Sequence, residues 1–132
     1  YNAADSSVIF ISMQAKANDT TTARGREAED RAAKHLECYG HRVISRNFRI
    51  RGGEIDLICR DGKVLVFVEV RQRSRSDFGG AGASITASKR RRIVLAAQHY
   101  LAGKPACDCR FDCVLIDGER LEWIRNAFAA DD

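Results

Sequence analysis

No stretch of this sequence stays apolar long enough to cross a bilayer, which takes about 20 consecutive apolar residues. Hydrophobic residues make up 45% of the chain and charged residues 30%, the profile of a soluble globular protein. The short patch Val8–Ile11 has no basic residues before it and is too short for the apolar centre of a secretion signal. No Gly-rich Walker loop occurs, and neither helix-turn-helix nor zinc-finger spacing is present, so base reading through those devices is not expected. Cys107, Cys109 and Cys113 follow a C-x-C-x₃-C pattern that lacks the usual zinc spacing and reads as small strand residues. Five cysteines, an odd number with no signal peptide, point to reduced thiols and a cytoplasmic chain. His35, His41 and His99 share no motif, and Trp123 and Phe128 read as packing for the last strand and tail.

With 132 residues the chain has room for one domain with a real core. It begins with Tyr1 rather than Met, and Met13 is a candidate natural start; residues 1–21 are expected to form a mobile tail and 22–132 a single domain. A first helix is expected over 22–39, with Thr22 as N-cap, Ala28, Ala32 and Leu36 at helical spacing, and Gly40 as the stop. Strand patterns follow at 42–50, 54–60 and 63–71, separated by Gly52-Gly53 and Asp61-Gly62. A second helix is expected over 86–102, then strands at 108–116 and 119–125 around Asp117-Gly118. The order α-β-β-β-α-β-β predicts an α/β fold, a mixed sheet flanked by helices, with a right-handed crossover through the second helix.

Carboxylates interrupt the second and third strand patterns. If Asp61-Gly62 were the two central residues of a hairpin, both with positive φ, Ile58 would face Leu65, Asp56 would face Phe67, and Glu54 would face Glu69. Alternation then puts Ile55, Leu57, Cys59, Val64, Val66, Val68 and Val70 on one apolar face. The other face carries Glu54, Asp56 and Glu69 at one end, with Arg71 beside them. Like charges this close destabilise a sheet unless offset, either by a hard divalent cation or by solvent and neighbouring arginines. Glu29 lies on the side of the first helix that carries Ala32, Ala33 and Leu36, so it points roughly toward the core or sits at its boundary.

The net charge of +4 is modest, but its placement is informative. Half of the basic residues fall in three acid-free groups: Arg42, Arg46, Arg49 and Arg51; Arg71, Arg73 and Arg75; and Lys89, Arg90, Arg91 and Arg92. The third group opens a helix, where cations oppose the macrodipole unless an anion joins them. A solvated basic face is the alternative. The Gly-rich run SDFGGAGAS, residues 76–84, is expected to be a mobile loop that settles over bound nucleic acid.

Asp56 followed by Glu69-Val70-Arg71 resembles the PD-(D/E)xK signature of the restriction-endonuclease-like superfamily. The blocks GREAEDRAAKHLE, RNFRIRGGEIDLI, VFVEVRQRS, SKRRRIVLAAQHYL, CRFDCVLI and LEWIRNAF, spread in order over about residues 25–128, resemble the bacterial YraN/UPF0102 family. That family is regarded as predicted nucleases related to Holliday-junction resolvases. The resemblance implies a restriction-endonuclease-like fold and Mg²⁺- or Mn²⁺-dependent hydrolysis of DNA, branched DNA included. It also implies Asp56 and Glu69 as metal-binding acids, with Glu29 completing the site and Arg71 at the usual lysine. Glu54, from the hairpin geometry, is a candidate acid behind the metal ligands. Arg46, Arg49, Arg51, Arg73, Arg75, Lys89, Arg90, Arg91 and Arg92 are the candidate contacts to the DNA backbone. Arginine stays charged and cannot serve as a base, so a DNA-binding protein with weak or lost cleavage, or a scaffold that binds neither metal nor DNA, is the competing expectation. No membrane partner is expected, and homodimerisation is left open.

Overall fold

The computed structural model describes residues 20–72 and 85–131. Helix α1 spans Thr20–Cys38 and helix α2 spans Ala87–Leu101. Strands β1 (Arg42–Ile50), β2 (Gly53–Asp61), β3 (Val64–Gln72), β4 (Cys109–Asp117) and β5 (Arg120–Phe128) form one sheet in the order β1-β2-β3-β4-β5. The β3–β4 pair is parallel and the others are antiparallel, so the sheet is mixed and the element order is the expected one. No described helix is long and apolar enough to cross a membrane. All five cysteines are free; Cys59 and Cys113 are buried and the other three exposed. The expected tail lies outside the described residues except for its last two, which belong to α1, and Thr22 is inside that helix rather than its N-cap.

Each face of the sheet buries one helix. Ala28, Ala32, Ala33 and Leu36 of α1 pack on Leu57, Cys59, Val66, Val68, Val114 and Ile116. Ile93, Ala96 and Ala97 of α2 pack on the alternating set Ile58, Leu65, Phe67, Phe111, Cys113 and Leu115. The alanines let each helix backbone come close to the strands. Thr86 caps α2, its Oγ1 accepting the Lys89 N–H at 3.1 Å.

The central hairpin differs from the sequence expectation. Asp61 pairs with Val64, so the two loop residues are Gly62 and Lys63, and only Gly62 has positive φ, at 62°. A turn of the type II′ pattern needs positive φ at its first central residue alone, which Gly62 supplies. Ile58 therefore pairs with Phe67 rather than Leu65. The two-residue slip preserves which face each residue of β3 takes. Alternation on β2 breaks, however: Ile55 packs with the α2 cluster, not with Leu57 on the α1 side. At the other hairpin Asp117 pairs with Arg120, and β5 runs on to Phe128 through a bulge at Asn126, whose φ is 53°. Asn tolerates this left-handed conformation better than most residues, which lets the strand continue past the expected end at 125.

One aspartate is built wholly into this frame. Asp112 is 0% exposed and accepts from Arg110 Nε at 2.9 Å, Arg110 Nη2 at 3.1 Å, Trp123 Nε1 at 2.9 Å and the Asn126 N–H at 2.9 Å. Trp123 in turn packs among His35, Tyr39 and His41 at ring separations of 4.8–6.0 Å.

Of the Gly52-Gly53 pair, Gly52 makes the turn with φ of 84°. Gly53 is buried against α2, where a Cβ would stand 2.6 Å from the Arg92 carbonyl oxygen and 3.1 Å from the Ala96 nitrogen. Gly53→Ala is expected to push β2 off α2 and cost about 2 kcal/mol, read as a lower urea midpoint at unchanged slope.

Candidate active site

Three carboxylates from three elements draw together where β2 and β3 part. The bonded ladder between these strands ends at Leu57 with Val68. One residue further, Asp56 turns its side chain to the partner backbone and accepts the Val70 N–H on Oδ2 at 2.8 Å. Glu69, 6% exposed, lies beside it, the two carboxyls close enough to hydrogen-bond. Glu29 comes from α1 and takes the Asn47 side-chain amide at 3.0 Å. Asn47 sits in β1 with φ of 53°, a left-handed kink that aims its side chain at α1. Sequence reading passed over Asn47; an asparagine inside a strand pattern was the available signal.

The electrostatics are those of crowded acids. Burial first, then the charge of Asp56, pushes Glu69 up to about 8 against the pull of Lys89 and Arg71. Burial, then Asp56, likewise raises Glu29 to about 7, opposed by the Asn47 hydrogen bond, Arg46 and Arg49. Asp56 is also raised, chiefly by burial, although the Val70 N–H, Glu69 and Lys89 all favour its charged form. Glu69 Oε1 is buried and has no hydrogen-bond partner. Among the described residues no three His, Cys, Asp or Glu side chains close into a cage that would hold a metal by themselves. The Asp56–Glu69 pair matches the smaller demand of Mg²⁺, which takes one or two carboxylates and fills the remaining positions with water and substrate phosphate. An unpartnered buried carboxylate oxygen beside a second acid is a donor set that suits such an ion.

The other candidate residues divide. Glu54 does not stand opposite Glu69: the β2–β3 ladder ends with Leu57 at Val68, a register that puts Glu54 two residues away from that position, and on the β1 side its Cα partner is Arg49. Its carboxylate lies 3.2 Å from Lys89 Nζ, 3.2 Å from Arg92 Nη2 and 3.9 Å from Arg49 Nε. Burial alone would raise it, but these cations hold it below the usual range. Lys89 also reaches Glu69 Oε2 at 3.7 Å, which places it inside the acid cluster rather than on an open basic face. Arg71 is half-buried and near enough to favour the charged form of Glu69, yet among the described residues it makes no ion pair.

The proposed backbone contacts are only partly free. Arg46 pairs with Asp30. Arg90 donates to the Ile85 carbonyl at 2.7 Å, and Arg92 is held by Glu54. Arg49, Arg51 and Arg91 are exposed, and Arg73, Arg75 and the Gly-rich loop lie outside the described residues.

Comparison with known proteins follows the same span. The profile of the uncharacterised protein family UPF0102 matches residues 28–116, which carry every carboxylate above. A UPF0102 protein of Dechloromonas aromatica is 88% identical over 120 residues, covering 91% of this chain and all of the relative. UPF0102 proteins of Cupriavidus taiwanensis and an Acidovorax species are 58% and 57% identical, covering 83% and 84% of this chain and 85% and 88% of their own lengths.

Because Glu69 holds its proton up to about pH 8 in the fold but only to about 4.5 when unfolded, the folded chain binds more protons between those values. The stability tied to that proton is full below pH 4.5 and is lost as pH rises through 8. In chelator, the urea stability is therefore expected to fall from pH 5 to pH 8, by an amount on the order of a few kcal/mol for this side chain. Glu69→Gln, neutral throughout, should flatten the fall; a parallel pH course in the variant would assign the raised affinity elsewhere.

Proposed function

This chain belongs to the uncharacterised protein family UPF0102, and from that footing we propose that it is a metal-dependent DNA endonuclease with a restriction-endonuclease-like core, selective for branched DNA of the Holliday-junction kind. The observation that carries the reading is the buried Asp56–Glu69 pair, with one Glu69 oxygen lacking a partner and Glu29 near enough to Asp56 to feel its charge. A fold tolerates such crowding at the expense of stability, and functional sites are where it is tolerated.

In this reading Asp56 and Glu69 would hold Mg²⁺ or Mn²⁺, with Glu29 beside them. When bound, such an ion would supply Lewis acidity at a phosphate oxygen. The protein's own groups do the rest. The Val70 N–H fixes Asp56 Oδ2, so one carboxylate is oriented before substrate arrives. Glu29, at about 7, can hold or release a proton on its carboxylate near neutral pH. Arg71 offers a planar guanidinium fork to the charge that builds on phosphate oxygens. Hydrolysis forms one bond from water oxygen to phosphorus and breaks one P–O ester bond. The water proton leaves to a base and the departing alkoxide regains one. Exposed Arg49, Arg51 and Arg91, with Arg73 and Arg75, hold the DNA backbone by charge, a mode that reads shape rather than sequence.

A second reading keeps the same surface but not the cleavage. Arg71 at the usual lysine favours it, and so does the lack of a closed metal cage among the described residues. The two separate on one assay. Branched and linear DNA are incubated with Mn²⁺ or Mg²⁺ and wild type or Glu69→Ala. The endonuclease reading expects branched DNA to be cut and the variant to lose at least about 100-fold. Binding without cutting supports the clamp, and equal cutting by both proteins would remove Glu69 from the chemistry. Mn²⁺ is also expected to raise the melting temperature of wild type at pH 8 but not of Glu69→Ala.

A further inference from the structure

Lys89 is the third residue of α2, and its backbone N–H is already taken by the Thr86 hydroxyl. Its side chain is only 23% exposed and turns inward, not toward open solvent. There the ammonium stands 3.2 Å from Glu54 Oε1 and 3.7 Å from Glu69 Oε2. Among the described residues it is the one cation in an ion pair with the buried Glu69; Arg92 and Arg49 reach only Glu54.

We propose that Lys89, arriving from the second helix, is the positioning cation of the acid site: Glu54 anchors its ammonium, and the ammonium fixes Glu69 so that Oε1 is left facing the reacting groups. The catalytic consequence rests on the nuclease reading above. The division of labour follows from chemistry. An ammonium is compact and carries three donors, so it can serve Glu54 and Glu69 at once and keep one donor for water or phosphate. A guanidinium at residue 71 is flat, and its fork suits two oxygens of one group. Glu54 is thereby reassigned. It is the tether of Lys89, itself clamped by Arg92 and Arg49, rather than an acid backing the metal ligands.

Charge balance adds a second consequence. With Asp56 and Glu69 ionised the pair carries two negative charges, and Lys89 leaves one. A divalent ion, with Arg71 also near Glu69, then leaves the centre positive, which an anion such as a phosphodiester offsets. Lys89 thus weakens the hold on the ion in exchange for a demand for that anion. Removing the positive charge should tighten Mn²⁺ while it impairs the reaction, a pairing that mere loss of packing does not produce.

The test compares wild type with Lys89→Gln, Lys89→Arg and, as a charge control on the far hairpin turn, Lys63→Met. By electron paramagnetic resonance of Mn²⁺, Lys89→Gln is expected to bind roughly tenfold more tightly than wild type and Lys63→Met equally. In cleavage of branched DNA, Lys89→Gln is expected to lose at least about 100-fold in kcat with little change in KM, and Lys89→Arg to recover part of it. Lys89→Gln that binds Mn²⁺ as wild type does, or cuts as well, would overturn the proposal. If wild type neither binds Mn²⁺ nor cuts, the nuclease reading fails, and a thermal double-mutant cycle at pH 8 decides the contact by itself. Lys89→Gln and Glu69→Gln should then be non-additive, the double variant melting higher than the sum of the two single changes implies, and additivity would reject the pairing.

Discussion

The site depends on one hydrogen bond made where a ladder fails. Beyond Leu57 and Val68 the strands β2 and β3 no longer exchange backbone bonds, and the Val70 N–H needs an acceptor. Asp56 supplies it from its side chain. That substitution of side chain for backbone has three consequences. It holds one carboxylate in place without any ion. It brings Asp56 alongside Glu69, which burial and like charge then push up in pKa. It also accompanies the loss of alternation that sends Ile55 to the α2 face, so that β2 begins at Gly53 in direct contact with the helix carrying Lys89. The acid cluster and the cation that joins it thus share a single local irregularity.

Two buried acids show how the same residue chemistry is put to opposite uses. Asp112 is fully enclosed and receives four donors, two of them from Arg110, in good geometry. Every demand of its charge is met inside the fold, and it ties β4 to β5 at the Asn126 bulge. Glu69 is nearly as enclosed, yet one oxygen has no partner and its main neighbours are another acid and a more distant ammonium. Leaving a buried acceptor unpaired costs about 1–3 kcal/mol, and proximity to a second acid adds to that. Asp112 therefore belongs to the architecture. Glu69 keeps one buried oxygen without a hydrogen-bond partner, the capacity that the proposed metal would use.

Much of this was legible in the sequence because it depends on local patterning. The helical spacing of Ala28, Ala32 and Leu36, the alternation along 64–70 and the order of elements all follow from period and turn chemistry. The hairpin register was less accessible, since Asp-Gly between two apolar runs allows Gly to occupy either central position; the turn took Gly62-Lys63 and moved every cross-strand partner by two. Face assignment on β3 survived because a two-residue slip preserves parity. Parity arguments failed on β2, where Asp56 leaves regular strand behaviour, as Asn47 does in β1. Such departures are set by contacts between elements distant in sequence, and no window of neighbours encodes them. Lys89 illustrates the same limit: in sequence it is the first of four consecutive basic residues, and only the packing of α2 on Gly53 separates it from the other three.

The basic residues change meaning once their partners are known. Counted along the chain they describe a broad positive surface, but Arg46, Arg90 and Arg92 are occupied by Asp30, the Ile85 carbonyl and Glu54. Glu54 supplies the anion that a cationic helix start calls for, so the first turn of α2 needs no external phosphate for its own stability. What remains exposed outside these ion pairs, Arg51 at the β1–β2 turn and Arg91 on α2, lies on or beside elements that also hold Glu54 and Lys89. Internal pairing therefore reduces the charge left free for an outside anion. A polyanion drawn to those arginines would meet the crowded carboxylates at the same end of the sheet, and its own charge would have to be offset there by Lys89, Arg71 and any bound ion. Attraction and chemistry then require one another: the acids repel nucleic acid unless cations sit among them, and the cations are held in place by the acids.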